Sequence, residues 1–160
     1  METHVQHDAH AAHLAEQSLN RVAFSATAHC LTGCAIGEVL GMIIGTALGW
    51  TDFQTIALAV VLAFFFGYSL TMIPLLRGGL ALTAAVPVAL AADTISIAIM
   101  EIVDNAIMLV IPGAMEAGLT NVLFWGSLTV ALLIAGAVAY PVNRYLIQRG
   151  RGHAVVHQFH

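Results

Sequence analysis

The sequence contains no lysine, and its five basic residues, Arg21, Arg77, Arg144, Arg149 and Arg151, are separated by long uncharged runs. Nucleic-acid recognition needs a clustered basic face, so partners of that class are excluded. Only two cysteines occur, Cys30 and Cys34, four residues apart in one apolar segment, which argues against a framework of structural disulfides. Charged residues make up 9% of the chain, where a soluble domain carries about a quarter. The N-terminal stretch Met1–Asn20 is polar and lacks the basic start and apolar core of a cleavable signal peptide. No phosphate-binding loop is visible either, because the glycines are too regular and too apolar in setting.

What is present is hydrophobic. Apolar residues form 59% of the 160 positions and mean hydropathy is +0.89. At about 20 residues per span, this supports an all-α polytopic membrane protein, a bundle of four transmembrane helices with little else. The spans expected are Phe24–Trp50, Phe53–Leu75, Leu82–Ile111 and Leu119–Tyr140, with Pro74, Pro112 and Pro141 at helix ends and Pro87 bending or starting the third. Trp125, Tyr140 and Tyr145 fall where an aromatic belt would lie. The organisation is a histidine-rich tail over 1–21, a membrane domain over 22–147 and a basic, histidine-bearing tail over 148–160. All five arginines lie in the tails or in the loop between spans two and three, so the positive-inside rule makes both termini cytoplasmic. His4, His7, His10 and His13 in one tail and His153, His157 and His160 in the other suit either metal gathering or plain solvation.

The first span, HCLTGCAIGEVLGMIIGTALGW from His29, carries the chemistry. At about 100° per residue, Cys30, Cys34 and Glu38 form one stripe, and Gly33, Gly37, Gly41, Gly45 and Gly49 recur on the same side. The glycines are a helix-packing pattern of the small-xxx-small kind, and a route to oligomerisation. They do not explain Glu38, since an intramembrane carboxylate is a functional-site hypothesis by default. The third span carries Asp93, Met100, Glu101, Asp104 and Met108 within roughly 100° of one another, with Ile95, Ile99 and Ile102 opposite.

Spans one and three run the same way. Counting a rise of about 1.5 Å per residue from Phe24 and Pro87 puts Cys30 and Asp93 roughly 9 Å deep and Glu38 and Glu101 roughly 21 Å deep. With no lysine or arginine inside the spans, the acids need protons, hydrogen bonds or a bound cation. Thiol and thioether groups favour copper or zinc, and carboxylates favour harder ions. The candidate ligands are Cys30, Cys34, His29, Asp93, Met100 and Glu38, with Glu38, Glu101 and Asp104 as a proton or ion path. His29 projects about 100° away from Cys30 and joins the same centre only through bending or a second subunit.

The run His29–Cys30–Leu31–Thr32–Gly33–Cys34, followed by Gly37–Glu38, resembles the HCxxGC signature of a bacterial membrane family, the domain-of-unknown-function 4396 family, over residues 24–145. The resemblance implies a multi-pass protein of the bacterial inner membrane and supplies no reaction. The residues themselves support a membrane protein that binds, and in passing conducts, a copper- or zinc-class ion between helices 1 and 3. No catalytic residue is indicated: a bis-histidine haem lacks its second imidazole, and a thiol oxidoreductase would use CxxC. Two alternatives stay open. One is an accessory subunit of a larger respiratory or metal-dependent oxidase complex, the other a proton-coupled small-solute transporter. Partners expected besides the lipid bilayer are further copies of the chain or the subunits of such a complex.

Overall fold

The apolar runs fold as four α-helices: α1 (Glu2–Leu48), α2 (Asp52–Arg77), α3 (Leu82–Val110) and α4 (Val122–Gln148). The computed structural model describes the backbone of residues 2–149 and the side chains of residues 16–91 and 93–149. The histidines of the 1–21 and 148–160 tails therefore lie outside the described side chains. Local chemistry sets the breaks. Thr51 and Gln54 cap α2 reciprocally: Gln54 N donates to Thr51 Oγ1 (3.4 Å) and Thr51 N donates to Gln54 Oε1 (3.1 Å). Asn121 Oδ1 accepts from Leu123 N at 2.9 Å and starts α4.

The structure revises the expected start of the first helix and the roles of the prolines. α1 is not confined to the apolar run, because the helix is continuous from Glu2 to Leu48. Pro74 and Pro141 lie inside α2 and α4 rather than closing them. A proline removes one backbone bond from a helix, yet the turn after Pro141 is held from outside: Asn143 Nδ2 donates to Thr27 Oγ1 at 2.9 Å, and Arg144 Nε to Asn20 Oδ1 at 2.7 Å. α3 begins at Leu82, and its segments Leu82–Ala91 and Asp93–Val110 meet at 45°. The bend falls more than a turn beyond Pro87, immediately before Asp93.

Helix contacts place α1–α2, α2–α3, α3–α4 and α4–α1 along the sides of a square, with α1 and α3 facing each other across its centre. α1 and α2 are antiparallel, since Gly33 meets Gly67, Gly37 meets Ala63, Gly41 meets Ala59 and Gly45 meets Thr55. Every fourth residue is small on both helices, so backbones touch where side chains would otherwise stand. The glycine ladder is thus filled by α2 of the same chain, which leaves Gly33–Gly45 no face for a second subunit. It also separates from the cysteine stripe: the glycines face α2, the cysteines face α3. Gly49 does not belong to the ladder. It ends α1 at φ 65°, with open space where a Cβ would be.

The antiparallel order gathers Arg21, Arg77, Arg144 and Arg149 at one end, where Arg144 Nη2 also pairs with Glu16 Oε1 at 3.1 Å. Polarity is inverted relative to a water-soluble protein. Phe24, Phe53, Phe65, Ile102 and Leu133 are exposed, while Asp93 and Asp104 are 0% exposed. α2, α4 and Glu16–Leu48 are each long and apolar enough to cross a membrane, and the bent α3 makes a fourth crossing where its halves count as one. This is a membrane-embedded helical protein. A Cβ on Gly37 would fall 2.6 Å from Ala63 Cα, so Gly37→Leu should destabilise the bundle by about 1–3 kcal/mol or more. Gly126→Ala, with nothing within 4 Å, should leave the thermal midpoint in detergent unchanged.

Candidate functional site

The site is a column along the α1–α3 diagonal, built by stripes with a spacing of four on α1 and of three and four on α3. At the arginine end the Cys30 thiol donates to Asp93 Oδ1 at 3.7 Å, and Ser96 lies beside the same thiol. One turn further, Cys34 faces Glu101, with Cys30 and Asp104 close by. One turn beyond that, Glu38 meets Asp104 and is joined to Glu101 through Asn105. Asn105 Nδ2 donates to Glu38 Oε1 (3.2 Å), to the Glu101 main-chain oxygen (2.9 Å) and to Glu101 Oε2 (3.4 Å). Cys30 with Asp93 and Glu38 with Glu101 are the pairs that equal depth brings opposite one another.

Burial is complete along this column. Cys34, Asp93, Ser96, Met100 and Asp104 are 0% exposed, and Glu101 and Glu38 only 3% and 6%. Of the carboxyl oxygens of Glu38, Glu101 and Asp104, three, Glu101 Oε1 and both of Asp104, have no hydrogen-bond partner among the described residues. An amide nitrogen has only two hydrogens, so Asn105 cannot serve every acceptor around it. A buried acceptor without a donor costs about 1–3 kcal/mol, and more if ionised. The acid trio is therefore short of positive partners, and among the described residues the ion pair of the fold, Arg144–Glu16, lies at the bundle end.

Cys30, Cys34 and Met100 share one core cluster with Ala63, Ile97, Ala135 and Ala139. That places two thiols and a thioether in one buried cluster, with Asp93 beside Cys30 and Glu101 beside Cys34. Among the described residues, no three His, Cys, Asp or Glu side chains stand ready to hold a metal ion. A third donor at the thiols thus has to be the Met100 sulfur or a carboxyl group that rotates in. His29 is half-buried and, one residue before Cys30, points about 100° away from it.

The family described as a domain of unknown function, DUF4396, matches residues 19–152. The chain belongs to this family. Neither a curated protein nor a solved structure matches it. The DUF4396 match spans all four helices and so contains both halves of the column.

Sequence reasoning missed Asn105 as the bridge between the acids. Its signal was there: it follows Asp104 directly and stands four residues after Glu101, one turn away on the same helix. Ser96 and the Thr27–Asn143 pair were missed as well, because neither residue type stands out in a span until its partner is known. Asn105 joins the carboxyl group of α1 to that of α3. Asn105→Ala removes the donor to Glu38 and should destabilise the protein by about 1–3 kcal/mol in equilibrium unfolding from mixed micelles. Ile102→Ala, on the lipid-exposed face, should cost much less; equal losses for both would show that the bridge adds no stability.

Proposed function

We propose that this protein binds a transition-metal ion of the copper or zinc class inside the membrane, at Cys30, Cys34 and Met100, and passes it along the α1–α3 column. One observation carries the reading: three sulfur-bearing side chains share a single buried cluster, with the Cys30 thiol hydrogen-bonded to Asp93 at 3.7 Å. Thiolate and thioether donors select soft or borderline ions. Asp93 supplies the nearest carboxylate ligand or the acceptor for the thiol proton that metal binding displaces. Glu38, Glu101 and Asp104 continue the row of ligand-capable groups beyond the sulfurs, and acids on two facing stripes in a membrane are the usual lining of a cation or proton path. His29 stays outside this set, because its direction on α1 differs from that of the cysteines.

Elemental analysis of the untagged protein purified in mild detergent tests the reading. Bound copper or zinc is expected in the wild type, with Cys30→Ser and Cys34→Ser each losing it while keeping the wild-type elution volume. Absent metal under saturating supply, or equal metal in all three proteins, defeats the proposal.

The topology proposed with it has four spans, both termini in the cytoplasm and the bacterial inner membrane as location. Its support is the collection of Arg21, Arg77, Arg144 and Arg149 at one end of an antiparallel bundle, the pattern that positive-inside sorting produces. A fluorescent-protein fusion at the C-terminus should fluoresce and an alkaline-phosphatase fusion at the same point should be inactive; active phosphatase there would invert the topology.

A further inference from the structure

The inward stripes continue past the acids. Met42 follows Glu38 by four residues on α1 and Met108 follows Asp104 by four on α3, so each extends its helix's central face by one turn. Both are buried, at 6% and 4% exposure. Above them the connection from Ile111 to Asn121 folds back over the bundle and buries Ala114 and Ala117. Its Met115 is half-buried against the same cluster, which comprises Met42, Met108, Ala114, Ala117, Phe124, Leu128 and Ala131. Methionines from three separate pieces of chain therefore belong to, or pack against, one apolar cluster at the end of the column opposite the arginines.

Methionine is a common gap-filler in cores, and one such residue would need no other account. Here three share one cluster beneath a loop, one end of the column away from Cys30, Cys34 and Met100. A neutral thioether is a poor ligand for zinc and a good one for Cu(I). A station without thiolates also holds its ion less tightly than one with them. Movement along a row of sites requires binding weak enough to release the ion onwards.

We propose that Met42, Met108 and Met115 form a second, thioether-only station that takes a soft monovalent cation, Cu(I) or its analogue Ag(I), at the end of the column under the 111–121 connection. This rests on the preceding reading for the class of ion and narrows that class from copper or zinc to the monovalent soft ions. The thiol station would load the ion and the thioether station would release it.

The test is Ag(I) titration of the detergent-purified full chain carrying 13C-methyl methionine, followed by NMR. The ε-methyl signals of Met42, Met108 and Met115 should shift together at one added equivalent beyond that taken by the thiols, while Met72 on α2 stays put. In Cys30→Ser/Cys34→Ser the same three shifts should persist and appear at lower added Ag(I). Met108→Leu and Met115→Leu, close in volume and so mild for packing, should each abolish the shifts of the other two methionines, and Zn²⁺ should move none. Silent methionines in a protein whose thiols bind Ag(I) would overturn this station and leave the thiol site standing. Shifted methionines in a wild type that holds nothing at its cysteines would do the reverse. Shifts that survive Met108→Leu would also overturn it, since the three sulfurs would then not act on one ion.

Discussion

The structure depends on a shortage of positive charge in a dry interior. Asp93, Glu101, Asp104 and Glu38 are all buried at the centre of the bundle, and the sequence has no lysine to set beside them. In lipid each such group must find a donor, a proton or a cation. Asn105 and the Cys30 thiol meet part of that need. The rest is left as unpartnered oxygen on Glu101 and Asp104. Two facing helices hold this deficit at the centre of the fold, and the proposed cation site is built on it.

Packing makes the deficit possible. The α1–α2 contact is so close that backbones meet at Gly33, Gly37 and Gly41, and this fixes the rotation of α1. With the glycines committed to α2, the stripe one residue further on, Cys30, Cys34 and Glu38, has to turn to the centre. Small residues at Ala135 and Ala139 on α4 complete the wall around the thiols. Close packing and chemistry are therefore not rival uses of α1 but adjacent faces of it, about 100° apart.

The two ends of the bundle differ in kind. One is polar and basic, tied by Arg144 to Glu16 and Asn20. The other is roofed by the apolar 111–121 connection over Met42 and Met108. Between them Cys30, Cys34 and Met100 share one cluster, and Met42 and Met108 belong to another.

The sequence by itself determined the class of protein, the existence of four long helices and the two reactive stripes, because hydropathy and a period of about 3.6 residues are local properties. It also held the depth match of Cys30 with Asp93, since rise per residue is fixed for any helix. It misplaced the helix ends at Pro74 and Pro141, where contacts from other helices outweigh a missing backbone bond. It read the glycine ladder as helix packing, as α2 shows at Gly33, Gly37, Gly41 and Gly45, but it also offered the ladder for subunit pairing and counted Gly49 in it. Only the tertiary structure decided that α2 fills the ladder, that Asn105 bridges Glu38 and Glu101, and that Met115 packs against the cluster containing Met42 and Met108. Each of those depends on which helix stands next to which, and helical periodicity gives a face without naming its neighbour.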